Sequence, residues 1–205
     1  MAKIESNFKN ILLCLFIIST LLAGVLGAVN QITKEPIEKT QIEKQKAAIK
    51  QVLPPFDNLK QAKIPVTGAA EEKNAFKKGQ AADSLIMYDA YKNNKWVGTA
   101  VETFTDKGFS GRIKLMVGFL PEGNIHKIEV LSHTETPGLG DKMEVGKSKF
   151  PNQFIGKNPQ TYKLSVTKDG GDVDAITAAT ISSRAYCDAV QTAYNVFTKN
   201  GGKIK

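Results

Sequence analysis

Arginine is nearly missing from this chain: of 28 basic residues, Arg112 and Arg184 alone carry a guanidinium. Arginine is the usual reader of bases and clamp for phosphates. No run of five or more Lys and Arg occurs either, so nucleic acid is not expected as a partner despite the formal charge of +8. That charge suits an anionic lipid surface or an acidic redox partner better. Cysteine is confined to Cys14 and Cys187, and Cys14 lies in an apolar run. This argues against a disulfide scaffold, and the lack of CxxC or CxxCH excludes ordinary iron–sulfur and c-type haem attachment. With His126 and His133 as the two histidines, no zinc ligand set forms, and no resident metal is expected. GxGxxG and GxxxxGK[ST] are both missing, which removes the usual nucleotide loops.

One long apolar run is present. Ile11 to Val29 holds 19 residues without a charge, roughly 28 Å of helix, close to the hydrocarbon thickness of a bilayer. A cleaved signal peptide has a shorter apolar region, about 7–15 residues. Leu26-Gly27-Ala28 lacks the small residue wanted two places before a cut, and Cys14 lies too early to accept lipid. The expectation is a tail over 1–10 and an uncleaved transmembrane helix over 11–29. Lys3 and Lys9 precede the run, while Lys34, Lys39, Lys44, Lys46 and Lys50 follow it, so the positive-inside count leaves orientation open. Residues 30–55 form a polar, helix-prone juxtamembrane segment. Its weak stripe of Ile42, Ala48, Ile49 and Val52 suggests a spacer, or a helix packed beneath the domain, ended by Pro54-Pro55. Residues 56–80 read as mixed and lysine-rich, with a turn or loop at Pro65 to Gly68.

From Ser84 the period changes to two. SLIMYDAY, KWVGTAVETF, GRIKLMVGF and NIHKIEVL read as strands, with a tight turn at Asn93-Asn94 and a hairpin loop at Pro121-Glu122-Gly123-Asn124. Three or four adjacent antiparallel strands follow. TYKLSVT, 161–167, reads as one more strand, and a short helix is expected around Phe150 to Ile155. A final helix spans about Ser182 to Thr198, with Tyr186, Val190, Ala193, Tyr194 and Phe197 on one face. No strand–helix–strand rhythm repeats, so a doubly wound fold is disfavoured. The fold class is α+β: a mainly antiparallel sheet packed with helices, preceded by one N-terminal transmembrane helix.

Two stretches could carry chemistry. The first is Thr177-Ala-Ala-Thr-Ile-Ser-Ser183, at the start of the final helix. A helix start exposes about four unpaired N–H groups and a partial positive charge, which together can hold a phosphate. A simple hydroxyl cap by Thr180, Ser182 or Ser183 is the bland alternative. Asp174 would repel a phosphate, but it could cap its own turn or hold Mg²⁺ during an attachment reaction. The preceding Asp169-Gly-Gly-Asp-Val-Asp174 fails as a calcium loop, because its acids stand at positions one, four and six and position twelve is Thr180. The second stretch is His133-Thr-Glu-Thr-Pro-Gly-Leu-Gly140. His133 and Glu135 would share a side if extended, but a hydrolytic pair lacks a nucleophile. Its glycines permit a tight turn that either wraps a flat ligand or merely turns.

These two motifs, in this order behind one anchor, resemble the G subunit of the Rnf (or Rsx) electron-transport complex. More distantly the chain is similar to the C subunit of the sodium-translocating NADH:quinone reductase. The resemblance covers nearly the whole sequence. It implies an FMN-binding domain over 56–205 whose flavin is joined through its phosphate to a threonine. The family pattern of Asp, two variable positions and Ser/Thr-Gly-Ala-Thr falls on Asp174 and Thr177-Ala178-Ala179-Thr180, so the resemblance assigns the phosphoester to Thr180. It further implies a flavin transferase using FAD and Mg²⁺ outside the cytoplasmic membrane, hence a cytoplasmic tail and an extracytoplasmic domain. Glu135, Thr136, Gly138 and Leu139 are expected to contact or shape the flavin pocket, with Asp174, Thr177, Ala178, Ala179 and Arg184 as further binding candidates and no catalytic acid or base. The implied role is a covalent-FMN electron carrier in a membrane complex that couples electron exchange between ferredoxin and NAD to Na⁺ or H⁺ movement. A cofactor-free structural or assembly subunit is the alternative; a sensory FMN domain is disfavoured by the lack of further signalling segments. One departure stands out: the family usually has Gly where this chain has Ala178. If that position needs φ > 0, alanine is strained by roughly 1 kcal/mol or more.

Overall fold

The computed structural model describes residues 8–65 and 84–202. The chain divides into two units, 1–43 and 44–205. In the first, the described residues belong to one α-helix, α1, which runs from Phe8 to Val52 and continues into the second unit. No charge or glycine pair breaks the apolar run, and Pro36 is accommodated inside the helix. Thr33 and Thr40 return their hydroxyls to the carbonyls of Val29 and Pro36, four residues back. The large apolar side chains from Ile11 to Val29 are exposed, and α1 is long and apolar enough to cross a membrane.

The second unit is built on a five-stranded sheet in the order β1-β2-β3-β4-β5, every pair antiparallel. The strands are β1 (Asn58–Pro65), β2 (Ser84–Lys92), β3 (Lys95–Thr105), β4 (Ile113–Phe119) and β5 (Ile125–Ser132). Asn93 and Asn94 both take positive φ, 49° and 60°, as the tight hairpin between β2 and β3 requires. Leu120 N–H donates to the Asn124 carbonyl across the β4–β5 loop.

Helix α2 (Thr180–Lys199) covers one face of the sheet and packs on β3 and β4. Its expected stripe of Tyr186, Val190, Ala193, Tyr194 and Phe197 is buried against Val101, Leu115, Val117 and Phe119. Each such large side chain contributes about 1.5–3 kcal/mol. Phe119 stacks on Phe197 with ring centroids 4.9 Å apart. The opposite face carries Tyr88, Ala100 and Met116, covered by Ala48, Ile49 and Val52 at the end of α1 and by Leu53 just after it. There a Cβ on Gly118 would stand 1.9 Å from the Val52 carbonyl oxygen; the missing side chain lets helix and strand meet.

Two segments depart from expectation. Residues 58–65, read as mixed sequence, form β1, which among the described residues is an edge strand paired with β2. Backbone hydrogen bonds hold such a strand without strong apolar alternation. Apart from Pro65, the turn expected at Pro65 to Gly68 lies outside the described residues. TYKLSVT is not a strand. Val166 makes a single parallel bridge with Val173, because the chain doubles back on itself. Lys163 N–H donates to Asp172 Oδ2 at 2.7 Å and Tyr162 Oη to the Asp172 carbonyl at 2.8 Å. The short helix near 150–155 is a 3₁₀ turn, Phe150–Phe154.

Candidate functional site

β5 ends at Ser132, and the His133–Gly140 loop leaves it to enter a 3₁₀ turn, Gly140–Met143, that packs against α2. The loop and the hydroxyl-rich run thereby meet. Glu135, 4% exposed, accepts the Ser182 hydroxyl on Oε2 at 2.5 Å. Its Oε1 accepts the Ser110 N–H at 3.0 Å. Thr134 donates its hydroxyl to the Ser110 carbonyl, tying the same β3–β4 loop a second time. Gly140 makes room for this junction: a Cβ there would lie 2.8 Å from both Glu135 Oε2 and Ser182 Oγ. Glu135 is thus consumed inside the site, while Thr136, Gly138 and Leu139 form its exposed rim. Gly138 takes φ of 79° at the tip.

The second motif resolves the competition among four hydroxyls. Ile176 to Ala179 is a turn closed by Ala179 N–H donating to the Ile176 carbonyl. Ala178 sits at its third position with φ of 62°, the left-handed value a type II turn requires there. Ile176 and Ala179 are buried; Thr177 and Ala178 are exposed. Helix α2 then starts at Thr180 with Ala179 as N-cap, and no side chain caps it. Ser183 is fully buried, accepts the Ile176 N–H and donates to the Ala179 carbonyl. Ser182 is taken by Glu135. Among the described residues, Thr177 and Thr180 keep hydroxyls with no hydrogen-bond partner, and Thr180 is half-buried at an uncapped helix start.

Asp174 has an exposed carboxylate without a hydrogen-bond or ion-pair partner among the described residues. Its backbone is pinned by both ends of the Gln153 amide, at 2.8 and 3.1 Å. Arg184 turns to Asp169 in a two-pronged pair, at 2.7 and 2.8 Å. The guanidinium holds the Asp169 carboxyl below its usual range, chiefly through the hydrogen bond. Arg184 is therefore committed to a carboxylate, and a phosphate at Thr180 would rely on helix N–H groups instead. A cavity of about 900 Å³ opens elsewhere, among Leu53, Phe56, Ile128, Pro151 and Ile155. None of the motif residues lines it, so the polar junction, not this apolar recess, defines the site. Sequence reasoning missed Ser110. The only hint was the pair Gly108 and Gly111 bracketing it, and a Cβ on Gly108 would meet Glu135 Oε1 at 2.8 Å.

Residues 108–195 match the family described as FMN-binding domain. Over 201 residues the chain is 35% identical to the protein from Shewanella oneidensis named as the G subunit of the ion-translocating oxidoreductase complex, covering 96% of this chain and 91% of that one. The protein of the same name from Shewanella baltica is 35% identical over 94% and 90% of the two chains, and that from Yersinia pestis 37% over 83% and 80%. The chain belongs to this family of G subunits. It carries an FMN-binding domain behind a membrane-anchoring helix, which makes it a flavoprotein. The matched span begins at Gly108, under the Glu135 carboxyl, and takes in the whole junction. A flavin phosphate fits the residues present: an open helix start and an unbonded threonine hydroxyl on it. The exposed Leu139 and Ile181 add apolar surface in the two motifs.

Proposed function

We propose that this subunit is a covalent-FMN electron carrier in a membrane complex that couples electron transfer between ferredoxin and NAD to Na⁺ or H⁺ translocation. Its partners are the other subunits of that complex, and its domain lies on the extracytoplasmic side. The relatives' shared name supports the complex and the ion movement. The observation that carries the covalent reading is Thr180: a partly accessible hydroxyl without a partner, on the first residue of an uncapped helix. During maturation by a flavin transferase, Thr180 Oγ would bond to the phosphorus of the FMN half of FAD. The pyrophosphate bond would break there, AMP would leave with the bridging oxygen, and the hydroxyl proton would go to solvent. Asp174 is available to the Mg²⁺ of that reaction, and the first-turn N–H groups of α2 neutralise the phosphate. Thr177, Ala178 and Ala179 form the turn that sets Thr180. Glu135 shapes the floor; Thr136, Gly138 and Leu139 border the flavin, and Arg184 supports the turn through Asp169. When bound, FMN supplies transfer of electrons singly or in pairs. The chain's residues hold it, and the ester prevents its loss from an exposed site.

Intact mass of full-length protein co-expressed with a competent flavin transferase tests this. An increment of about 438 Da is expected for esterified FMN, lost in Thr180→Val and kept in Thr177→Val. An increment that survives Thr180→Val, with the flavin mapped to another peptide, overturns the assignment. No increment at all favours a cofactor-free assembly subunit.

A further inference from the structure

His133 opens the flavin loop yet takes no part in the turn or in the helix start that meets the phosphate. Its two ring nitrogens are both engaged. Nδ1 lies 3.0 Å from the Glu135 N–H, which donates to it. An acceptor nitrogen carries no proton, so in the neutral ring the proton sits on Nε2. Nε2 lies 2.6 Å from Glu144 Oε1, and the proton is donated there. Glu144 also accepts Lys147 Nζ at 3.0 Å, and Lys147 reaches Asp141 Oδ2 at 3.3 Å. Burial opposes ionisation of Glu144, but the hydrogen bonds from His133 and Lys147 prevail and hold its carboxyl below the usual range.

These contacts close a ring. His133 stands where the loop leaves β5; Asp141, Glu144 and Lys147 stand just beyond its return. Between them lies Glu135, whose peptide is gripped by the imidazole and whose carboxyl grips Ser182, two residues after Thr180. We propose that His133, in its Nε2–H tautomer, is a positioning residue that staples the base of the 133–144 loop and presents Glu135 to the helix start that receives FMN. It touches neither flavin nor reacting atoms; it acts through Glu135. That role rests on the covalent-flavin reading for its functional consequence.

The two nitrogens can be separated by substitution. In His133→Asn the side-chain carbonyl can take the N–H two residues on, as Asn does in Asx-turns, while the link to Glu144 is lost. His133→Leu loses both. Amide hydrogen exchange at Glu135 and ¹⁵N shifts of the imidazole, measured on full-length unflavinylated protein in detergent, read the staple without any flavin. The expected result is an Nε2–H pattern and, in His133→Leu, exchange at Glu135 about tenfold faster. Labelling by the transferase and FAD should fall about tenfold in His133→Leu and recover to within about twofold of wild type in His133→Asn. An Nδ1–H pattern, unchanged exchange in His133→Leu, or an Asn variant as slow as the Leu variant overturns the proposal. Failure of the Thr180 assignment would appear separately, as a flavin peptide at another residue with the Glu135 amide still protected.

Discussion

Ala178→Gly should make this protein more stable, which is unusual for a substitution that removes a methyl group. The reason is φ of 62° at the tip of the Ile176–Ala179 turn. An L-residue there brings Cβ against the following carbonyl oxygen, at a cost of roughly 1–2 kcal/mol that glycine avoids. Ala178 is exposed, so its methyl group gives up no packing when removed. Against the gain stands the greater freedom of glycine in the unfolded chain, about 0.4–1 kcal/mol. The midpoints of the two ranges leave about 0.8 kcal/mol in favour of glycine. For a unit the size of 44–205, 1 kcal/mol corresponds to roughly 2–4 °C, so the melting temperature should rise by about 1–4 °C. Thermal unfolding of detergent-solubilised full-length protein, followed by circular dichroism, measures this. Ala178→Val provides the opposite sign, because a β-branched residue tolerates positive φ least. A lower melting temperature for Ala178→Gly, or equal values for Gly and Val, would refute the turn geometry.

Ser182→Ala should cost about 1–3 kcal/mol, because it strips a buried carboxyl oxygen of its donor; urea titration checks this, and Ser182→Thr should lose less. Arg184→Gln should matter only above acidic pH. Because the Arg184 hydrogen bond lowers the folded-state pKa of Asp169, the pair's contribution is fully present above the unfolded carboxyl value of about 3.9. It disappears as pH falls through the folded value below that. Melting curves of wild type and Arg184→Gln should therefore differ slightly at neutral pH and converge in strong acid, the difference shrinking with salt because the pair is exposed.

The parts of this fold legible in the sequence are those where one local rule decides. Ile113, Leu115 and Val117 alternate because one face of β4 meets α2, and Asn93-Asn94 marks a hairpin because few other residues accept positive φ twice. β1 escaped notice because an edge strand is held by its backbone, and Leu59 and Ile64 are too few to set a period. TYKLSVT alternates well enough for a strand. Asp172 nevertheless captures the Lys163 N–H that a neighbouring strand would need. At the site, the hydroxyl run showed that too many side chains competed for one cap. Their division was invisible, since it depends on Glu135, 47 residues before Ser182. The backbone at Ala178 was likewise open until the turn was seen, because alanine by itself gives no sign of a left-handed residue.

The link from Glu135 to Ser182 also sets an order of events in the life of the chain. A ribosome finishes all five strands and the loop before it makes α2, so an incomplete chain holds the carboxyl but neither the hydroxyl that engages it nor the threonine two residues earlier. The uncapped helix start at Thr180 comes into being only when the final helix forms. Under the proposed ester at Thr180, a flavin-bearing chain is therefore one whose synthesis has passed into the final helix.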